Sequence, residues 1–252
     1  MSAFRLDSRY TRRVVSKEKH RFYAPPEDFS GESVCLSEEE SRHARKVLRV
    51  QEGDLITVVD GMGATCLVEV TMLSPVVAGN VRERKEDVGE SAYSLHIALG
   101  ILHQPGRWET FLEKAVELGC TRITPLTTER TQSSRLKMRR LHHILVSALK
   151  QSGRSRLPRL DEPTSFEDIL RQGEATRIIC HEASPDARQL RDVLGKEKGL
   201  SVLIGPEGGF SDGEVAMAGQ HGWETVWLGP RRLRAETAAM AVAAATSLHR
   251  PH

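Results

Sequence analysis

Two glycine-bearing segments near the end of the sequence carry residue types that could bind a ligand and act on it. The first is residues 205–210 (GPEGGF), which follow the apolar run 200–204. Its glycines would let a ligand approach the backbone closely. The segment contains no lysine and matches neither the P-loop pattern nor the dinucleotide fingerprint G-x-G-x-x-G. Glu207 would repel a phosphate, so the loop predicts a neutral or cationic ligand, unless it is only a tight turn.

The second segment is residues 228–238 (LGPRRLRAETA), in which Arg234 and Glu236 flank the start of an alanine-rich helix. An arginine can stabilise a developing negative charge, and a carboxylate can accept a proton. A carboxylate at a helix N-terminus is also favoured by the helix dipole alone, so Glu236 has a purely structural interpretation as well. The two segments together favour a ligand site over two unrelated turns.

The second half of the sequence alternates strand and helix patterns, which predicts a parallel sheet with helices on both faces. The predicted strands are residues 93–100, 121–126, 176–181, 200–205 and 224–228, and the predicted helices are residues 107–118, 135–151, 187–194, 212–220 and 235–249. Ser211 and Glu214 form a capping-box pattern at the start of one of these helices. Ligands bind such sheets beyond the carboxyl ends of the strands, where both glycine segments lie.

The first half of the sequence predicts a smaller, mostly β domain. Strands are expected at residues 21–24 and 76–84, and a hairpin joins residues 55–59 to residues 64–73. A helix from a capping box at Ser37 to about Leu48 carries a basic cluster. We therefore predict three parts: a basic, disordered extension over residues 1–19, a β domain over 20–88, and an α/β domain over 92–252.

Composition and charge narrow the function classes. The chain has 252 residues, 39% of them hydrophobic, which suits a globular protein with one large domain or two. No signal peptide or membrane-length apolar run occurs, and the four cysteines lie far apart, so we expect a soluble, reduced, cytoplasmic protein. Residues 1–24 carry a net charge of +5 and residues 130–160 carry +9, which leaves −12 for the remainder. Such concentrated basic stretches indicate a polyanion partner, and nucleic acid is the first candidate.

In combination, the two glycine segments resemble the ribosomal RNA small subunit methyltransferase E family, which methylates N3 of a uridine in 16S rRNA. The pattern His43-x-x-x-Val47-Leu48-Arg49, residues 112–119 (LEKAVELG) and residues 151–154 (QSGR) agree with it, and the resemblance covers about residues 21–249. It implies an N-terminal PUA-like β-barrel domain that binds RNA and a SPOUT-type methyltransferase domain with a trefoil knot. It also implies S-adenosylmethionine as methyl donor, a homodimer, and the small ribosomal subunit or its 16S rRNA as partner.

The resemblance and the charge pattern yield candidate site residues. Those implied for cofactor binding are Ile204, Gly205, Pro206, Glu207, Gly208, Leu228, Gly229, Leu233, Arg234, Glu236 and Thr237. In catalysis, Arg234 would stabilise the developing anion, and Glu236 or Glu207 would accept the N3 proton. Those expected from charge to contact RNA are Arg21, His43, Arg45, Arg49, Arg135, Arg139 and Arg154. We expect no metal site and no membrane contact.

Several alternatives stay open. A methyltransferase of the same fold could act on a ribose 2′-hydroxyl or on another base, and an inactive relative could serve only as an RNA-binding ribosome-assembly factor. His142 and His143 suit RNA contact or plain exposure, whereas His181 ends a strand and could line the cleft. Residues 104–109 (QPGRWE) and Lys150 depart from the family pattern, which leaves the RNA contacts open.

Overall fold

The computed structural model describes residues 20–132, 135–181, 187–194 and 198–249. The predicted basic extension over residues 1–19 lies outside them. The chain divides into two compact units, of which the first contains the residues up to Glu90 together with Val146–Leu157. The second contains Ser91–Leu145 and the residues from Pro158 onward. Within the described residues, no helix is long and apolar enough to cross a membrane.

The first unit is built on a six-stranded sheet. Its elements are β1 (Arg21–Tyr23), β2 (Phe29–Ser30), β3 (Ser33–Cys35), α1 (Glu38–His43), β4 (Leu55–Val59), β5 (Ala64–Met72) and β6 (Ala78–Glu86). A short 3-10 turn precedes β2, and a π-helical segment, Ala44–Leu48, continues α1. The strand order is β1-β4-β5-β6-β3-β2; β1 pairs with β4 in parallel and the other neighbours are antiparallel. The predicted β4–β5 hairpin is confirmed.

Side chains from alternate positions of these strands form the core of the first unit. Phe22, Ile56, Val58 and Val68 are at most 1% exposed and belong to one apolar cluster. Ile56 and Val58 lie two apart on β4 and so share a face, and Phe22 and Val68 are their cross-strand partners on the same face of the sheet. Hydrophobic burial of this kind is the dominant favourable term in the folding of such a unit.

The capping pattern at Ser37 forms only in part. The Ser37 hydroxyl accepts a hydrogen bond from the Glu40 backbone N–H at 3.2 Å, as the pattern predicts. The Glu40 carboxylate, however, forms an ion pair with Lys150. Glu40 is buried, and a buried carboxylate needs a cationic partner more than a single backbone N–H. This pairing helps to hold the last turns of the helix that contains Lys150 in the first unit.

The second unit is built on an eight-stranded sheet in which every pairing is parallel. Its elements are β7 (Ser94–Gly100), α2 (Pro105–Glu117), β8 (Arg122–Thr127), α3 (Met138–Ser152), β9 (Arg159–Leu160), β10 (Thr164–Ser165), α4 (Phe166–Leu170), β11 (Thr176–Cys180), β12 (Arg188–Gln189), α5 (Leu190–Val193), β13 (Gly199–Ile204), α6 (Asp212–Gln220), β14 (Glu224–Trp227) and α7 (Ala235–His249). The order is β10-β8-β7-β13-β11-β14-β12, with β9 beside β8. The predicted α/β class with a parallel sheet is confirmed, and α6 and α7 have the predicted bounds.

The sheet has eight strands rather than the five predicted, since the short strands β9, β10 and β12 were missed, and two of the predicted helices differ. The predicted helix over residues 187–194 is instead β12 followed by the four-residue α5, because Arg188 and Gln189 pair with Val226 and Trp227 of β14. This pairing extends the sheet edge, and sheet pairing overrides weak helical periodicity. Helix α3 begins at Met138 rather than at Arg135. Its last turns belong to the first unit, where the Arg21 guanidinium donates to the Gly153 carbonyl oxygen at 2.5 Å.

A buried polar cluster crosses the second sheet near the amino ends of its strands. His96 of β7 is 2% exposed, and its Nε2 lies 2.8 Å from the Thr124 hydroxyl of β8. Its Nδ1 lies 3.4 Å from the Ser201 hydroxyl of β13. Burial, together with the nearby Arg122 guanidinium, lowers the pKa of His96 from 6.5 to about 4. The neutral imidazole thus joins three neighbouring strands.

Because of this buried histidine, we expect the free energy of unfolding to decrease as the pH falls from 6.5 to about 4. In that interval the unfolded chain binds a proton that the folded chain does not, which costs roughly 3 kcal/mol over the interval. Urea unfolding at several pH values should show that His96→Gln removes this part of the pH dependence. The exposed His142 provides the matched control, since His142→Gln should leave the pH dependence unchanged. If the free energy of unfolding changed equally with pH in wild type and His96→Gln, the loss of stability could not be assigned to His96.

Candidate functional site

A cavity of about 280 Å³ lies at the carboxyl ends of three neighbouring strands, β11, β13 and β14. The backbone of residues 205–209 forms one wall, and Leu228 and Gly229 form another. The side chains of Ile204, Leu228 and Leu233 supply apolar surface. Apolar faces combined with backbone donors and acceptors suit a flat heteroaromatic ring, and the volume is near the lower end of the range for small-molecule pockets.

The first glycine loop is pressed against the end of β7. A Cβ atom on Gly100 would lie 2.3 Å from the Pro206 nitrogen, so only glycine permits this backbone approach. The indole N–H of the fully buried Trp108 donates to the Gly100 carbonyl oxygen at 3.1 Å and fixes the same point from the side of α2. Gly209 closes the loop in the left-handed region, at φ 68°, with its N–H bound to the Pro206 carbonyl oxygen.

The predicted capping box at Ser211 is confirmed and ends the loop. The Ser211 hydroxyl accepts from the Glu214 N–H at 3.3 Å, and the Glu214 carboxylate accepts from the Ser211 N–H at 2.8 Å. The other Glu214 oxygen accepts the Glu129 N–H at 2.9 Å. In addition, the Arg130 guanidinium donates to the Gly208 carbonyl oxygen at 2.8 Å. The loop after β8 and the loop after β13 are therefore bound to each other beside the cavity.

One arginine that the sequence analysis did not single out connects both glycine segments. Arg107, in the first turn of α2, donates from Nε to Glu236 Oε1 at 2.9 Å and from Nη2 to Glu236 Oε2 at 2.5 Å. Its Nη1 donates to Glu207 Oε1 at 2.9 Å. A cation in the first turn of a helix opposes the helix dipole, which is the one local feature of the sequence that sets Arg107 apart.

Glu236 is ionised in this arrangement. Burial by itself would raise the pKa of Glu236, but the hydrogen bonds from Arg107 and the nearby Arg107 and Arg234 charges outweigh it, so the pKa lies below its usual value. Its carboxylate is 9% exposed. A carboxylate that is buried, ionised and bound by a guanidinium at both oxygens is a weak proton acceptor.

The structure brings most of the predicted cofactor residues together. Those that line the cavity are Ile204, Gly205, Pro206, Glu207, Gly208, Leu228, Gly229 and Leu233. Arg234, Glu236 and Thr237 lie just beyond it, in and before the first turn of α7. His181 lines the cavity, as do Arg130, Arg231 and Arg232, whose role the sequence analysis did not foresee. Arg130 appeared in the sequence only as part of the basic stretch 130–160, whereas Arg231 and Arg232 lie within the second glycine segment, where no role was assigned to them.

The predicted RNA-binding residues fall into two groups. His43, Arg49, Arg135 and Arg139 are exposed. Others are bound within the protein: Arg21 to the Gly153 carbonyl oxygen, and Arg45 to the carbonyl oxygens of Leu73 and Pro75. Arg154 is 5% exposed and forms an ion pair with Glu90 at 2.7 Å, which gives it a structural role in the first unit. No group of three or more potential metal ligands occurs in the described part of the chain.

Comparison with known proteins places these observations in context. The family model for an RNA methyltransferase domain matches residues 89–247, and that for an RNA methyltransferase PUA domain matches residues 36–75. The chain is 30% identical over 231 residues to the ribosomal RNA small subunit methyltransferase E of Synechocystis sp., covering 87% of this chain and 74% of that relative. It is 28% identical to the protein of that name from Bacillus subtilis, covering 85% and 90% of the two chains.

A solved structure agrees in both sequence and fold. The ribosomal RNA small subunit methyltransferase E from Neisseria gonorrhoeae, bound to S-adenosylmethionine, superimposes with a TM-score of 0.78. It is 29% identical to this chain, and the superposition covers 91% of this chain and 97% of that one. The superposition therefore extends over residues of both units.

We expect Gly100→Ala to destabilise the protein by about 1–3 kcal/mol, because the added methyl group would overlap the Pro206 backbone. It should also displace the first glycine loop and weaken ligand binding in the cavity. Gly106→Ala is the matched control, since an added Cβ there meets no atom within 4 Å and alanine favours the α2 helix. Urea unfolding measures both variants. Equal stability of Gly100→Ala and wild type would disprove the close approach.

Proposed function

Because this chain belongs to the ribosomal RNA small subunit methyltransferase E family, we propose that it transfers a methyl group from S-adenosylmethionine to N3 of a uridine in 16S rRNA. The enzyme class, an rRNA methyltransferase of the small subunit, follows from family membership. The cavity at the carboxyl ends of β11, β13 and β14 is the observation that supports the donor site. The trefoil knot and the homodimer implied by the resemblance remain predictions.

The cavity fits S-adenosylmethionine by its chemistry. Ile204, Leu228 and Leu233 offer apolar contact to the adenine faces, and the backbone groups of residues 205–209 and 229 can pair with its edge. The solved relative from Neisseria gonorrhoeae carries S-adenosylmethionine, which supports the same donor here. When bound, this donor supplies a methyl group on a positively charged sulfonium. Glu207 is among the residues that line the cavity, and an acidic residue there is compatible with a cationic ligand.

The protein then has to position uridine N3 and accommodate the loss of its proton. N3 is weakly acidic, so the ring becomes electron-rich as the proton leaves, and a cation nearby stabilises that charge. We assign this role to Arg234, which is exposed beside the cavity. Glu236, whose pKa is lowered by Arg107, suits the task of holding the site better than that of accepting the proton. Glu207 is more exposed and is the better candidate for the base.

RNA binding is proposed for the exposed cations of both units. His43 and Arg49 lie on the first unit, and Arg135 and Arg139 lie on the second. Phosphate contacts by such residues give affinity that falls with salt and position the RNA without reading its sequence. Target choice would then depend on RNA shape and on extrusion of the uridine.

The homodimer expected from the family is supported by α7. Thr237, Ala241 and Leu248 are exposed along one face of this helix, and Leu248 is 88% exposed. Spacings of four and seven residues place side chains on the same side of a helix. The small residues would let a second copy approach closely, and the leucine would gain burial.

Incubation with labelled S-adenosylmethionine and either unmodified small subunits or naked 16S rRNA, followed by nucleoside analysis, tests the function. We expect the label in 3-methyluridine, and light scattering on the same preparation should give the mass of two chains. Label in a 2′-O-methyl nucleoside or another base would keep the fold and overturn the N3 assignment. Donor binding without any label would support the assembly-factor alternative.

The same assay tests the role of Arg234. We expect Arg234→Met to lower kcat by about 100-fold, the typical loss when one group that stabilises the transition state is removed. Arg171→Met, a change at a 71% exposed side chain, serves as the control and should retain wild-type turnover. Full activity of Arg234→Met would eliminate the electrostatic role.

A separate prediction concerns the RNA surface. Arg139→Ala should weaken rRNA binding and reduce the slope of log K against log salt by about 1, because one phosphate contact is lost. Arg171→Ala is the control, because Arg171 is an exposed arginine outside the proposed RNA surface and its loss should leave the salt slope unchanged. Filter binding at several salt concentrations measures both. An unchanged salt slope would exclude Arg139 from phosphate contact.

A further inference from the structure

Arg107 bridges two carboxylates, one in a loop that lines the cavity and one just beyond it. Glu207 belongs to the first glycine loop, and Glu236 belongs to the first turn of α7. The three guanidinium nitrogens of Arg107 reach both, at 2.5–2.9 Å. The guanidinium side chain is 20% exposed, so it lies between the two segments rather than on the open surface.

The backbone position of Arg107 is fixed by its neighbours. It lies in the first turn of α2, and the next residue, Trp108, is fully buried and bound to the Gly100 carbonyl oxygen. Helix α2 also packs against α7. The Glu207 carboxylate in turn accepts the His103 backbone N–H at 3.2 Å, just before α2 begins. The bridge therefore connects segments that already meet at the end of β7.

The chemistry of the bridge requires arginine. The guanidinium presents several N–H groups in one plane, so it can bind both Glu236 oxygens and still donate to Glu207. A lysine ammonium would retain the charge but lacks that planar geometry. Removal of the cation would leave the buried Glu236 carboxylate uncompensated, which destabilises its position strongly.

We propose that Arg107 is a positioning residue that joins the first glycine loop to the start of α7 and so preorganises the cofactor cavity before ligand binds. The inference rests on the proposed function, because it takes S-adenosylmethionine as the occupant of the cavity. Arg107 acts through Glu207 and Glu236, and its effect should appear in donor affinity more than in the rate of the chemical step.

Calorimetric titration with S-adenosylmethionine alone, without RNA, is the first measurement. We expect Arg107→Met to raise the Kd at least about tenfold, and Arg107→Lys to raise it less. In the methyltransfer assay, KM for the donor should rise by the same factor while kcat changes less. Glu207→Gln removes only one contact of the bridge and should give a smaller loss of affinity than Arg107→Met.

A double variant tests whether Arg107 acts through Glu236. In Arg107→Met the unpaired Glu236 charge should distort the site, so adding Glu236→Gln should recover part of the lost affinity. Such recovery would not occur if Arg107 contacted the donor or the RNA directly. Amide hydrogen exchange of the free protein should also increase in residues 205–210 and 235–238 of Arg107→Met, before any ligand is added.

Arg140→Met provides the matched control. Arg140 forms an ion pair with Glu109, also on α2, but its side chain is 63% exposed. Loss of that pair should leave the donor Kd and the exchange of residues 205–210 unchanged. The comparison separates loss of any arginine–carboxylate pair on α2 from loss of this particular bridge.

The outcomes distinguish the two proposals. If the wild-type protein neither binds S-adenosylmethionine nor methylates RNA, the proposed function fails. If it does both and Arg107→Met binds the donor within about twofold of wild type with unchanged exchange, the positioning role is overturned. If circular dichroism shows that Arg107→Met is unfolded, the donor Kd of Arg107→Lys and of Glu207→Gln is measured instead. Wild-type affinity in both variants would also overturn the positioning role.

Discussion

The close approach of the Gly100 and Pro206 backbones is the contact on which the ligand site depends. It places the loop after β13 against the end of β7, where a side chain of any size would interfere. Trp108 fixes the same carbonyl from α2, which brings Arg107 within reach of Glu207 and Glu236. This backbone contact without space for a Cβ, together with the Trp108 and Arg107 hydrogen bonds, connects the glycine loop, α2 and the start of α7.

Buried charge is compensated locally in both units. Arg154 pairs with Glu90 in the first unit, where both side chains are less than 10% exposed. In the second unit, burial would raise the pKa of Asp161, but hydrogen bonds from Thr124 and Arg122 and the Arg122 and Arg159 charges lower it overall. Such pairs contribute little net stability compared with apolar residues, because desolvation offsets the attraction. Each does require a particular neighbour, so we attribute to them the positions of segments rather than the stability of the core.

Sequence patterns predicted the parts of the fold that depend on neighbouring residues. Residues close in sequence determine the β4–β5 hairpin, the Ser211 capping box and the bounds of α6 and α7. Long-range pairings were not predictable in this way. The pairing of β12 with β14 and the Arg107 bridge to Glu236 depend on segments that meet only in the folded chain. The family resemblance named eight of the residues that line the cavity, whereas the partners of Arg107 lie about 100 residues or more from it in the sequence.

Net charge along the chain indicates the class of partner only after internal pairs are subtracted. Residues 130–160 carry nine cations and no acid, yet Arg154 and Lys150 pair with glutamates elsewhere in the sequence. Arg130 binds the Gly208 carbonyl oxygen and borders the cavity. The cations that stay exposed include Arg135 and Arg139 near the start of α3, and these are accessible to a phosphate backbone. Buried cations fix geometry, whereas exposed cations bind phosphate through counterion release. The same basic stretch therefore supplies contacts within the first unit, one border of the cavity and the exposed residues for which RNA binding is proposed.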